Sequence, residues 1–239
     1  DGTGWKTWPR SVSRNVRAIW GRFYDDLFAV GDYGTILHCD GTEWRLMTSG
    51  TTTDLTDISA TDEQHVWACG NDGLLYLFDG STWQPAVDTG HRSLRALWCF
   101  GERDLMVAAR DGIVLSYVGS DLEVIDTCSH EFLIDIWACS REDIFISGSR
   151  GTVLHYDGQA WEKMDTGTLS QLNAVHGFSS SDVYAVGDDG TIIHYDGAGW
   201  STMESGTDLI LRSVWGATSY KVFAVGSTGT ILEFGPGLP

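Results

Sequence analysis

Residues Ser213–Phe234 read S-V-W-G-A-T-S-Y-K-V-F-A-V-G-S-T-G-T-I-L-E-F, and thirty-nine positions earlier Ala174–Tyr195 read A-V-H-G-F-S-S-S-D-V-Y-A-V-G-D-D-G-T-I-I-H-Y. The same frame continues through the chain. A-I-W-G at Ala18–Gly21, D-I-S-A from Asp57, A-L-W-C from Ala96 and D-I-W-A from Asp135 supply the other four copies. Their apolar anchors are Ile19, Ile58, Leu97, Ile136, Val175 and Val214, each 39 residues from the next. Gly34, Gly73, Gly112, Gly151, Gly190 and Gly229 keep the same spacing. A fixed period of this length is the mark of a repeat architecture, in which each repeat is one supersecondary unit.

Each unit reads as four short strands. The first is an apolar run ending at the W-G position, such as Leu211–Trp215; the second resembles Asp182–Gly187 and the third Thr191–Tyr195. The fourth opens at the Trp of D-G-x-x-W and ends near a Met, as in Trp200–Met203. Gly190 is placed in the second-to-third turn, where a positive φ is expected because glycine has no Cβ to clash. Asp-Gly at Asp40, Asp79, Asp157 and Asp196 marks the third-to-fourth hairpin, read as a primed two-residue turn. Four strands in about 40 residues make one propeller blade. The expectation is an all-β, six-bladed β-propeller in one domain, 1–239.

The termini bear on how the repeat closes. Residues 1–5, D-G-T-G-W, match the opening of a fourth strand, while the unit from Leu211 to Phe234 precedes G-P-G-L-P without its own D-G-x-x-W. Six periods of 39 make 234, so Asp1 continues the frame after Phe234. The segment 1–8 is therefore expected to complete the blade formed by 211–234, leaving no free sheet edge there.

Composition narrows the function. The chain has 239 residues, 42% of them hydrophobic, with 29 Gly and 11 Trp. Lysine plus arginine total 15 against 33 aspartate plus glutamate, a net charge of -18. Phosphate binding rests on a basic footprint, so neither nucleic acid nor an anionic membrane is an expected partner. No apolar run is long enough to span a bilayer. No signal peptide is evident, although a chain opening at Asp1 fits a mature or trimmed form or a domain of a larger protein. The compartment stays open, with a lean to secreted or periplasmic.

The columns separate scaffold from site. The first-strand tryptophans (Trp20, Trp98, Trp137, Trp215) and those of the fourth strand (Trp5, Trp44, Trp83, Trp161, Trp200) read first as packing between blades, and alternatively as sugar-stacking platforms. Asp26, Asp104, Asp143 and Asp182 precede the second strand and read as turn caps. His38, His155 and His194 fall in one column of three different blades, too far apart to share a zinc, and read as structural. Five cysteines (Cys39, Cys69, Cys99, Cys128, Cys139) lack metal spacing; they read as buried small hydrophobes, with one local disulfide among Cys99, Cys128 and Cys139 left open. Neither a metal nor a cofactor is expected.

Propeller ligands sit on loops around the inner strand. There the residue two before the anchor varies as Arg17, Thr56, Arg95, Ile134, Asn173 and Arg212. Three arginines near one axis would suit a carboxylate, because guanidinium forks bind it bidentately. The arrangement resembles the arginine triad of six-bladed sialidases, but equal units leave no insertion for the acid/base carboxylate and the nucleophile. Phosphate-loop, nucleophile-elbow and H-E-x-x-H motifs are absent as well. His176 replaces the first-strand Trp and joins the candidates. The third unit diverges, with Leu122 for Trp, Val118-Gly119 for Asp-Gly and Ala109-Arg110-Asp111 in its turn. A contact surface around Arg95, Trp98 and Arg110 is expected there.

The whole repeat resembles bacterial Asp-box "glycosyl hydrolase" propellers, and H-V-W-A-C-G-N-D-G-L-L-Y-L-F-D-G-S-T-W of the second unit is similar to tectonin repeats. The D-G-x-x-W segment is shorter than the Asp box S-x-D-x-G-x-x-W and lacks its Ser. Tectonin resemblance implies a six-bladed propeller and, in several members, glycan recognition. Three functions follow, in order: a non-catalytic module docking a protein partner through a loop face; a multivalent lectin; and a hydrolase of acidic sugars using Arg17, Arg95 and Arg212.

Overall fold

The computed structural model describes residues 12–235. It is an all-β molecule of six β-propeller blades, each an antiparallel meander. Blade one consists of β1 (Val16–Phe23), β2 (Asp26–Gly31), β3 (Thr35–Cys39) and β4 (Trp44–Met47); blade two of β5 (Leu55–Ala60), β6 (Val66–Gly70), β7 (Leu74–Phe78) and β8 (Trp83–Asp88). Blade three runs through β9 (Leu94–Gly101), β10 (Asp104–Ala109), β11 (Ile113–Val118) and β12 (Asp121–Asp126). Blade four comprises β13 (Leu133–Ser140), β14 (Asp143–Gly148), β15 (Val153–Tyr156) and β16 (Trp161–Lys163), and blade five β17 (Leu172–Ser179), β18 (Asp182–Gly187), β19 (Ile192–Tyr195) and β20 (Trp200–Met203). Blade six contributes β21 (Leu211–Thr218), β22 (Lys221–Gly226) and β23 (Ile231–Phe234); its expected fourth strand, 1–8, lies outside the described residues.

The chain divides between Arg103 and Asp104 into two compact units. Within the first, β1, β5 and β9 lie side by side; within the second, β13, β17 and β21 do the same. First strands thus form the inner layer of each unit. The anchors Ile58, Leu97, Ile136, Val175 and Val214 are buried there, whereas Ile19, on the first blade of its unit, is 61% exposed. The second strands carry the core: Val30, Val66, Val107, Ile146 and Val186 are fully buried. First strands run past the W-G position to Phe23, Ser179 and Thr218.

Two turns set the geometry. All six glycines of the second-to-third column have positive φ, and in blades one, four, five and six the preceding residue does too (Tyr33, Arg150, Asp189, Thr228). The Asp-Gly hairpins differ from the primed turn expected of them. Only their glycines (Gly41, Gly80, Gly158, Gly197) have positive φ, and the loop is four residues long. The aspartate instead folds back on its own turn: Oδ1 of Asp157 accepts the amides of Gln159 and Ala160 at 2.9 Å each, and Asp40, Asp79 and Asp196 repeat the pattern. Such Asx turns satisfy amides that the strand ladder leaves over. They hold these carboxyls below their usual range, Asp40 down to about 2 with the Thr42 hydroxyl the largest contributor.

In blades one to five the glycine also ties its turn, through its amide or its carbonyl, to the loop that leads into the next blade. Gly34 N–H donates to Thr53 O at 2.7 Å, Gly151 to Ser170 O at 2.9 Å and Gly190 to Leu209 O at 3.0 Å. The glycine carbonyl is used as well: the hydroxyls of Thr89, Thr127 and Thr166 donate to Gly73, Gly112 and Gly151 at 2.7–2.8 Å. A Cβ at Gly190 would overlap the Thr207 carbonyl, whereas one at Gly206, also of positive φ, would meet nothing. We therefore expect Gly190→Ala to cost more than about 3 kcal/mol in urea unfolding and Gly206→Ala only about 1 kcal/mol; equal losses would show that the close approach is unimportant.

Candidate functional site

The sequence candidates occupy two different settings. In the first unit, Arg17 on β1 is already matched: its guanidinium meets Asp32 at 2.5 Å and Asp54 at 3.2 Å. Asn15 donates to the other Asp32 oxygen, and the Tyr33 amide to Asp54. Arg17 and Asn15 together hold the Asp32 carboxyl below its usual range. Arg95 is half-buried on β9, where its charge opposes the effect of burial and of Asp57 that pushes the Cys69 thiol far up. Trp98 is half-buried on the same strand. An arginine already bridging two carboxylates is not a free fork for an acidic sugar, so Arg17 balances charge on its own unit.

In the second unit, Arg212 is exposed on β21, but Asn173 and His176 are structural. The Asn173 amide nitrogen donates both to Asp188 and to the Leu211 carbonyl of the next blade at 2.9 Å, while its oxygen accepts from Gln171. His176 lies between Trp137 and Trp215, with ring centroids 6.4 and 6.3 Å away, and its Nε2 meets the Gly216 carbonyl at 3.1 Å. Burial lowers its pKa, so the imidazole is held neutral, with Nε2–H as the donor. The first-strand aromatics thus pack between neighbouring blades. Fourth-strand tryptophans do the same: Trp83 is 6% exposed against Phe78 and Phe28, and Trp200 packs on Tyr195 and Phe145.

The acidic columns are likewise committed. Asp26, Asp143 and Asp182 bond not to their own turns, as the sequence suggested, but to His38, His155 and His194 at 2.6–2.8 Å. Each imidazole stacks on the ring directly opposite it, Phe28, Phe145 or Tyr184, at 4.2–4.5 Å. Asp104 faces Arg141 of the next blade instead, at 3.3 Å. Among the described residues no three His, Cys, Asp or Glu side chains converge as metal ligands. The cysteines form no disulfide; Cys39, Cys69 and Cys99 are buried, but Cys128 and Cys139 are exposed rather than core residues.

A loop patch of the second unit is open to a partner. Arg110, in the divergent turn of blade three, lies over the Phe132 ring at 4.8 Å, and Phe132 is 49% exposed. The Phe132 amide donates to Ser149, whose hydroxyl donates to Glu131; Glu131 in turn meets Arg150 at 3.4 Å. Leu169, 80% exposed, lies in the next lead-in loop, whose Ser170 receives the Gly151 amide. Arg110 thus covers an exposed aromatic next to the Glu131–Arg150 ion pair, with Leu169 exposed in the following lead-in loop. Arginine and aromatic side chains are what protein interfaces concentrate. Arg110 was legible as a departure from the repeat, and Arg150, which stands where Asp72, Asp111 and Asp189 do, was open to the same reading; Phe132 was not, because its column holds a different residue in every blade.

A further signal missed in sequence is the aspartate two residues after the first-strand start. Asp57 accepts the Leu97 amide, and Asp135 the Val175 amide at 2.9 Å, each reaching the next blade. Desolvation raises the Asp135 carboxyl to about 6 against a model-peptide value of 3.8, so the fold retains a proton that the unfolded chain has released. Stability must then fall as pH rises from about 4 through about 6. Asp135→Asn should flatten that part of a thermal-midpoint profile; an unchanged slope would place the titration elsewhere.

No family model matches the chain, and no curated protein matches it in sequence. Solved structures do match in fold. A structure of YCF48 bound to D1 peptide superposes with a TM-score of 0.78 at 14% identity, covering 99% of this chain and 83% of that one. The U3-55K structure gives 0.77 at 15%, over 94% and 78%, and a computationally designed protein, Ika8, 0.75 at 18%, over 92% and 71%. At these identities the likeness shows one thing, the β-propeller fold.

Proposed function

We propose that this chain is a non-catalytic recognition propeller that docks a protein partner through the loop face carrying Arg110, Phe132, Arg150 and Leu169. The observation that carries the reading is the exposed Phe132 ring capped by Arg110 on turns that the backbone holds in place. Pre-set contacts of this kind lose little freedom on binding. The structural neighbours support it: YCF48 was solved with a D1 peptide, and RRP9 carries WD40 repeats. A chain of net charge -18 with the exposed Arg110 guanidinium over Phe132 favours a partner segment that places a carboxylate beside an apolar residue. The lectin alternative has less support, since Trp83 and Trp137, two of the platforms it would use, are spent between blades at 6% exposure, although Trp215 is 59% exposed. The hydrolase reading loses its arginine set, because Arg17 is neutralised by Asp32 and Asp54.

The test is site-specific photocrosslinking in a native extract, with the crosslinker at position 132 or, on the Asp-Gly turn of the same unit, at position 159. One polypeptide should be captured from position 132 and not from 159, with capture falling at least tenfold in Arg110→Ala. Capture that is equal from both positions, or indifferent to Arg110→Ala, would reject the loop patch as the docking face.

A further inference from the structure

We propose that the cavity between strands β10–β12 of blade three and blade four binds a small arylalkylammonium, a flat aromatic ring with a protonated amine on a short arm. The cavity has a volume of about 420 Å3, within the roughly 300–1,000 Å3 of ordinary small-molecule sites. It arises from two departures from the repeat. The column of Phe28, Trp67, Phe145, Tyr184 and Phe223 is aromatic in five blades, and blade three alone has a thioether there, Met106. The column of His38, His155 and His194 holds Ser116 in blade three.

Elsewhere those two side chains fill the wedge. Between blades one and two, His38 stacks on Phe28 at 4.5 Å, and Phe28 meets Phe78 and Trp83 at 5.3 and 6.1 Å. Between blades four and five, His155 stacks on Phe145 at 4.2 Å, and Phe145 meets Tyr195 and Trp200 at 5.9 and 6.5 Å. Blade four presents the same outer pair to blade three, Tyr156 and Trp161, with ring centroids 5.3 Å apart. These rings face a thioether and a hydroxyl, so two rings are missing from the wedge and the cavity is the space they leave. A flat ring seated between Met106 and Trp161 restores the lost contact, since both sulfur and an aromatic neighbour favour it.

The polar groups of the cavity set the charge of its ligand. Met106, Ser116 and Glu123 stand opposite one another on adjacent strands and so share one face of blade three. Arg141 reaches that face from a turn of blade four: Nη2 donates to the Ser116 hydroxyl at 2.6 Å, and Nη1 lies 3.3 Å from Asp104. Asp104 thus meets a guanidinium where Asp26 and Asp143 meet an imidazole, and the Arg141 charge is answered. Glu123 and Glu142 also line the cavity and are exposed; among the described residues their carboxylates make no ion pair or hydrogen bond. Two uncompensated carboxylates beside two aromatic rings select a cation with an apolar body over a neutral or anionic ring. The cavity lies toward the first-to-second and third-to-fourth turns, at the opposite end of the strands from the docking loops, so it is a second site.

The full chain tests this by NMR of the Trp161 indole N–H, identified as the signal that Trp161→Phe removes. Phenethylammonium at millimolar concentration should shift that signal saturably, and phenylacetate, with the same ring and the opposite charge, should not. The exposed pair Glu123→Gln and Glu142→Gln, introduced together, should weaken binding about tenfold, the size of two surface ion pairs. Met106→Phe, which restores the ring found at Phe28 and Phe145, should abolish binding with the thermal midpoint unchanged or raised. No saturable shift, equal binding of phenylacetate, or binding undiminished by the glutamine pair would overturn the proposal, and so would a folded Met106→Phe protein that binds as the parent does. The glutamine pair carries the test alone where Met106→Phe does not fold.

Discussion

The structure depends on a glycine in the left-handed conformation whose amide reaches out of its own blade. At Gly34, Gly151 and Gly190 the N–H is bonded to a carbonyl nineteen residues later, in the loop that leads to the next first strand. Each such bond contributes about 1 kcal/mol net. Its larger effect is geometric: it fixes where a blade ends relative to where the next begins. The threonine hydroxyls on Gly73, Gly112 and Gly151 tie the same loop from the other side. An alanine cannot replace the glycine at Gly190, since φ is +64° and the space beyond Cα is occupied by the Thr207 carbonyl. Uniform spacing of 39 residues follows, because an insertion between the glycine and its acceptor would break the tie.

On that frame, aromatic and acidic columns do the remaining packing. Tryptophans such as Trp83 and Trp137 fill wedges between blades, and aspartates near the blade faces are satisfied by histidine, by arginine or by amides of the next blade. Most of the negative charge is therefore structural, held in Asx turns such as Asp157 and in pairs such as Asp143 with His155. Arg17, bound by two carboxylates, belongs to the same balance.

The architecture was legible because it is periodic: strand count, the positive φ of the glycine column and the span of β18 and β20 all follow from reading one unit against the next. Cross-blade chemistry was harder to read. The partner of Asp135 is the amide of Val175, and a backbone amide leaves no mark in a sequence. The Asp-Gly turns were recognised as hairpins, yet their type depended on a carboxylate that prefers its own amides to the left-handed region. Asp182 and His194, twelve residues apart, look unrelated until the second and third strands are laid side by side. The candidate docking residues are the least legible: the Phe132 column holds a different residue in every blade, and Arg150 replaces an aspartate that recurs at Asp72, Asp111 and Asp189.

The functional reading and the fold meet in the lead-in loops: the one that carries Leu169 holds the Gly151 amide, and the one that carries Phe132 is tied by the Thr127 hydroxyl to the Gly112 carbonyl. Rigid loops make a specific surface, and loose ones would not. Amide hydrogen exchange by NMR at Gly151 and Gly190 tests this most directly, with Gly167, whose amide is held by the nearby Asp165 carboxylate, as the reference. Protection at Gly151 and Gly190 equal to that of the buried β14 and β18 amides is the result expected. Exchange as fast as at Gly167 would mean that the blades are not locked through their turns and that the loop face is not pre-formed.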